Sequence, residues 1–163
     1  GAEVNIKKDG TLDITDKVLS KLDVVGASVH SNFKMAEKDM TLRIVRAMRN
    51  PHVDILFHPT GRSMPRRDEY NVDIDAVLNA AQNTGTVVEI NAQPRRLDLK
   101  DVTIRKAVGK NVHMAINSDA HSVEHLKFLR YGIAQARRGW AEARDVVNTL
   151  PLDRFLASLK VER

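Results

Sequence analysis

The sequence contains no cysteine. Disulfides and thiolate metal sites are therefore excluded, and any metal must take nitrogen and oxygen ligands. No apolar run approaches the roughly 20 residues of a membrane-spanning helix. No charged-then-apolar signal segment opens the chain, and the expected address is the cytoplasm. The sequence also lacks a glycine-rich phosphate loop, a dinucleotide fingerprint and a serine nucleophile elbow, so nucleotide-dependent phosphoryl transfer and serine hydrolysis have no support. Internal repeats, low-complexity tracts and flexible linkers are missing as well.

What is present is 163 residues, 42% hydrophobic and 29% charged, the profile of one globular domain over residues 1–163. Lys and Arg outnumber Asp and Glu by 26 to 21, a formal charge of +5. That excess permits a phosphate-bearing partner without requiring one, and it equally suits an ordinary basic surface.

Short runs rich in Val and Ile alternate with longer amphipathic stretches. Strands are expected at residues 3–6, 24–29, 53–57, 87–90 and 112–116. Most are continuous apolar runs, the pattern of strands covered on both faces. Residues 38–49 place Met40, Ile44, Val45 and Met48 on one helical stripe, and residues 73–81 do the same with Ile74, Val77 and Leu78. Residues 99–108 are a weaker helical case, and further helix is expected at 123–129, 141–148 and 152–159, with Pro151 at a first-turn position. Strand and helix in alternation give a parallel α/β sheet with right-handed crossovers and outer helices. Five strands are too few for a closed eight-stranded barrel, which takes about 250 residues. The alternatives are a compact open sheet or part of a barrel.

Polar residues fall directly after the apolar runs. His30 follows the second, His58-Pro59-Thr60-Gly61-Arg62 the third, and Asp119-Ala120-His121 closely follows the fifth. Parallel strands deliver their C-terminal ends to one rim, so these distant residues should converge. Imidazole and carboxylate at such a rim suit Zn²⁺ or Mn²⁺. Each also has an ordinary reading: a lone His as a hydrogen-bonded loop residue, and Asp119 as a cap for the helix starting near Ser122. Glu89 inside an apolar strand needs a partner, either an arginine or a metal. His52 and His113 sit at the opposite strand ends and read as structural, and His125 reads as lying on an outer helix face. Two loops leave the same rim carrying Arg62, Arg66 and Arg67, and Arg95 and Arg96. Arginine suits bidentate phosphate recognition, although solvated loop charges fit equally.

The runs Ala27-Ser28-Val29-His30-Ser31, Phe57-His58-Pro59-Thr60-Gly61-Arg62, Glu89-Ile90-Asn91-Ala92 and Ser118-Asp119-Ala120-His121-Ser122 resemble the PHP (polymerase and histidinol phosphatase) superfamily. They are most similar to the C-terminal PHP domain of bacterial and archaeal family X DNA polymerases, as is the tail around Leu129-Arg130-Tyr131-Gly132 and Ala136-Arg137-Arg138-Gly139-Trp140. The resemblance implies a distorted (β/α)₇ barrel holding up to three divalent metals, Mn²⁺ or Zn²⁺ and in some cases Mg²⁺. It implies Glu3 as a bridging carboxylate, with His30, His58, Asp119 and His121 as further ligands. Asp119, His121 and Arg62 would be catalytic, and Arg62, Arg66 and Arg95 would hold substrate phosphate. The implied activity is 3′–5′ exonuclease and DNA-end processing. The family's opening His-x-His motif is not in this sequence, so the chain reads as the later part of the barrel with an incomplete cluster. The expected partners are DNA, the missing barrel part or a polymerase domain, and a second copy through an exposed sheet edge. Two alternatives remain open: a non-catalytic DNA- or polymerase-binding module, and a small-molecule phosphatase of the histidinol-phosphate kind.

Overall fold

The computed structural model describes residues 1–160. Five strands form one sheet: β1 (Ala2–Asn5), β2 (Val25–Ser28), β3 (Ile55–Leu56), β4 (Val87–Asn91) and β5 (Met114–Asn117). Their order in space is their order in the chain, and every pairing is parallel. A doubly wound sheet reverses at a switch point, whereas a barrel places each strand beside the next. The order here is that of part of a barrel.

Side chains alternate between the two faces of a strand, so neighbours such as Ile55 and Leu56, or Val87 and Val88, enter different cores. One core joins Val4, Ala27, Leu56, Val88, Ile90 and Met114 to the helices outside. Those helices are α1 (Asp16–Leu19), α2 (Glu37–Met48), α3 (Ile74–Thr84), α4 (Asp101–Gly109) and α5 (Leu129–Arg138). The stripe read from the sequence is the buried face of α2: Met40, Ile44 and Met48 are fully enclosed. Asp73 caps α3, its carboxylate accepting from Ala76 N at 3.0 Å, and left-handed Gly85 ends it. The second core lies on the other face and is confined to the strand starts. There Ile55, Val87 and Ala115 meet Val147, Leu159 and the last helix, α6 (Leu152–Ala157). Toward the strand ends this inner face turns polar, with Glu3, Ser28, Glu89, Asn91 and Asn117.

Three expectations change. The segment 123–129 is a 3₁₀ helix (Val123–Phe128), and the α-helix follows it as α5, which the periodicity did not predict. The reason is that α5 buries only Gly132 and Ala136, leaving Leu129 and Ile133 exposed. Small residues make its packing face, so no apolar stripe marks it. The segment 141–148 is not one helix but two 3₁₀ turns around Val146, which bridges in parallel to Met114. Strand β3 is also only two residues long, against the five expected.

Both outer edges of the sheet are engaged by side chains. Asn148 accepts from Ile116 N at 3.1 Å and donates to Ile116 O at 2.7 Å, imitating a neighbouring strand on β5. On β1, Asn5 N donates to Asp13 Oδ1 at 3.0 Å. Such devices limit edge-to-edge pairing.

Gly26 is required by a close approach. A Cβ there would lie 1.9 Å from the Phe57 ring, which crosses the inner face above it. Gly26→Ala is expected to destabilise the fold by about 1–3 kcal/mol through overpacking. A lowered urea midpoint at unchanged m-value is the measurement that checks it.

Candidate metal centre

Glu3 projects from β1 onto the polar end of the inner face. Its Oε1 lies 3.1 Å from His30 Nε2 and 3.0 Å from His58 Nε2, and it accepts from Ser28 Oγ at 2.8 Å. These hydrogen bonds, from His30 first and His58 next, hold the Glu3 carboxyl well below the usual carboxylate range. The two imidazole rings sit 5.5 Å apart. His58 is buried, whereas His30 and Glu3 are partly open, at 46% and 39% side-chain exposure, so the group is reachable from solvent.

Glu3, His30 and His58 each offer a donor atom, all within 4.8 Å of one another. Ligands at about 2.1 Å around a tetrahedral Zn²⁺ are separated by about 3.4 Å, close to the spacing found. His58 Nδ1 is buried with no hydrogen-bond partner among the described residues, so that ring is engaged through Nε2 alone. Donor chemistry and spacing therefore fit a divalent cation.

Asp119 and His121 line the same cleft, of about 320 Å³, with Glu3, His58, Glu89 and Asn117. Asp119 does not cap the following 3₁₀ helix, whose N-cap is Ser122. Its Oδ2 instead accepts from Asn91 Nδ2 at 3.1 Å and from Arg96 Nε at 3.0 Å. His121 Nδ1 is 2.8 Å from the Asp119 carbonyl. A carbonyl only accepts, so Nδ1 is the donor in this contact, and the neutral ring in that tautomer has its lone pair on Nε2. His58 and Asp119 both have left-handed backbones, at φ 31° and 50°. Non-glycine residues held this way cluster at functional sites.

Glu89 lines the cleft with Glu3, His58 and Asp119, and its direct partners there are a backbone amide and two side-chain amides rather than an arginine. Its Oε2 accepts from His58 N at 2.7 Å and Asn91 Nδ2 at 3.1 Å, and its Oε1 from Asn117 Nδ2 at 3.0 Å. Burial pushes its carboxyl up to about 7, against the lowering effects of His58 and the amide donors. Its position fixes the turn that carries His58.

The arginines divide. Arg62 Nε donates to the Arg96 carbonyl, Arg66 lines a different cleft, and Arg95 is exposed. Arg96, which the sequence reading passes over in favour of Arg95, is the one whose side chain reaches Asp119. His125 does not lie on an outer face: its Nδ1 accepts from His121 N at 3.1 Å, and its ring stacks on Phe128. The exposed His113 stays at the opposite strand ends, where its carbonyl accepts from Val88 N.

The same arrangement of sequence recurs in known proteins. The DNA polymerase/3′-5′ exonuclease PolX of Bacillus subtilis (strain 168) is 44% identical over 160 residues, which is 98% of this chain and 28% of that protein. A probable phosphatase of Caldanaerobacter subterraneus subsp. tengcongensis is 35% identical over 131 residues, 74% of this chain and 49% of its own length. This is a PHP-type chain. Another probable phosphatase, of Clostridium acetobutylicum, is 37% identical over 94 residues, 56% of the PHP-type chain and 36% of that protein. No family model matches the chain. The PHP-type chain spans less than two thirds of the length of each of these relatives. None of its described helices is long and apolar enough to cross a membrane.

Proposed function

We propose that this chain is part of a divalent-metal phosphoesterase acting on the 3′ end of DNA. The observation that supports this most strongly is the Glu3–His30–His58 group at the mouth of a cleft also lined by Asp119 and His121. Similarity to PolX over nearly the whole chain supports a polynucleotide as substrate. In this reading Glu3, His30 and His58 hold a cation, with Asp119 and His121 as further ligands. When bound, Zn²⁺ or Mn²⁺ supplies Lewis acidity toward water and phosphate oxygens.

The chain's own residues set the geometry. Glu3 aligns both imidazoles through one oxygen. Asn91 and Arg96 hold Asp119 Oδ2, which leaves Oδ1 facing other partners. Arg62, Arg66 and Arg95 neutralise the phosphodiester as it approaches along the rim. Glu89 keeps the His58 turn in place from behind, with both of its oxygens occupied.

The test is release of 3′-terminal nucleotides from a labelled oligonucleotide in Mn²⁺. Asp119→Ala, which removes a proposed ligand, is expected to lose at least about 100-fold in rate, beyond the range for groups that only orient ligands. Equal digestion by both proteins rejects the reading. A small-molecule phosphatase is the second reading, supported by the similarity to probable phosphatases. A preference for a small phosphomonoester over the oligonucleotide selects it.

A further inference from the structure

A second cleft opens at the same rim, and the metal centre makes no use of it. Its volume is about 730 Å³, and its walls include Phe33, Lys34, Arg66, Arg67 and Tyr70. Phe33 lies three residues beyond His30, so the two Cα atoms are within about 11 Å of each other. Tyr70 closes the loop that begins at His58, and its hydroxyl donates to the Pro59 carbonyl at 2.7 Å. The cleft is therefore walled by the segments that directly follow two candidate ligands.

Its chemistry is specific. The Arg67 guanidinium lies 3.7 Å from the centroid of the Phe33 ring, and Tyr70 stacks near Phe33 at 6.4 Å with planes inclined by 17°. Lys34, Arg66 and Arg67 bring positive charge; of the two carboxylates in the walls, Glu69 is taken by Lys100 at 2.8 Å and Asp68 is outnumbered by the three cations. Met64 N donates to the Arg95 carbonyl at 2.6 Å, tying this loop to the one that carries Arg95 and Arg96. Unpaired nucleic acid is bound by this combination: cations along the phosphates, with aromatic and guanidinium planes against the bases. An acidic peptide matches the charge but brings no flat group to extend the Phe33–Arg67 stack.

We propose that this cleft is a nucleobase subsite, holding a base of a single-stranded 3′ end while the adjoining phosphate lies at the Glu3–His30–His58 group. The inference rests on the phosphoesterase reading for where the phosphate goes, and its test separates the two. The probe is a short fluorescent oligothymidylate, followed by anisotropy in excess chelator so that no turnover occurs. Phe33→Leu keeps apolar volume and removes the ring, and it is expected to weaken binding about tenfold, the order of one lost base stack. Phe33→Trp retains binding, and thermal melting checks that both variants fold. A probe with an abasic 3′-terminal nucleotide should bind the wild type about tenfold more weakly than the intact probe, and should show no further loss with Phe33→Leu. Unchanged binding in Phe33→Leu, or the same abasic penalty in both proteins, overturns the subsite. Hydrolysis of p-nitrophenyl phosphate in Mn²⁺ by the wild type tests the phosphoesterase reading separately. If the wild type hydrolyses neither that ester nor DNA, the phosphoesterase reading fails while the anisotropy still decides the subsite.

Discussion

Glu3→Ala is expected to lower divalent-metal affinity by at least a hundredfold and to remove metal-dependent ester hydrolysis. Changes to groups that merely orient a ligand cost 10- to 100-fold, and Glu3 is itself a ligand in the proposed site. It is the only carboxylate of the three-residue group, so its loss leaves the cation facing two imidazoles, with Asp119 the remaining carboxylate among the proposed ligands. The loss is also structural, because one Glu3 oxygen lies within hydrogen-bond distance of both His30 Nε2 and His58 Nε2. Glu3→Gln separates the two contributions. It keeps an acceptor oxygen for the imidazoles but carries no charge, so its affinity is expected between those of wild type and Glu3→Ala. Isothermal titration with Zn²⁺ or Mn²⁺ reads both variants. Wild-type affinity in Glu3→Ala would place the cation elsewhere and remove the basis for the metal centre.

The rim was legible because two simple patterns coincide. Val- and Ile-rich runs mark strands, and residues 30, 58, 119 and 121 follow them closely. Parallel pairing then carries those ends to one side, where His58, Asp119 and His121 share a cleft and His30 meets His58 across Glu3. The choice among arginines was not legible. Arg95 and Arg96 are adjacent, and a turn decides between them: Arg96 N and Leu97 N both bond to the Gln93 carbonyl, and the Arg96 side chain reaches Asp119. Nor did apolar continuity in β4 show that the inner face changes character along its length. Val87 enters the lower core, whereas Glu89 and Asn91, on the same face, enter the cleft. Helix α5 escaped notice because Gly132 packs against Ile116 and Ala92 so closely that a Cβ would lie 2.5 Å from the Ile116 side chain. Periodicity methods weigh large apolar residues, and this contact depends on their absence.

The largest stability effect is expected at Arg43, a charged residue in the middle of α2 that is 2% exposed. Its partners are three backbone carbonyls and, more weakly, the Met35 sulfur at 3.5 Å. Nε donates to Lys7 O and Nη1 to Ser31 O, each at 2.9 Å, and Nη2 donates to Ile6 O. The guanidinium thus clamps the chain just after β1 to the chain just after β2. Arg43→Met fills much of the volume but supplies no donors. Ile6 O would be left buried and unpaired, at about 1–3 kcal/mol, whereas Lys7 O keeps its bond from Gly10 N, and each lost hydrogen bond to the charged guanidinium is worth about 1.5–3 kcal/mol. The expected loss is about 3–5 kcal/mol, after some relaxation of the two loops toward water. Arg43→Lys keeps the charge, but a single ammonium cannot span three carbonyls in the plane of a guanidinium fork, so an intermediate loss is expected. The clamp also bears on the site, since Ser31 directly follows His30 and Ile6 lies three residues beyond Glu3. Arg43→Lys, where it remains folded, should therefore bind metal more weakly than wild type even though residue 43 touches no ligand. Urea unfolding measures the first effect and titration the second. A loss below about 1 kcal/mol in Arg43→Met would mean that water replaces the guanidinium readily, and that the two loops hold their register without it.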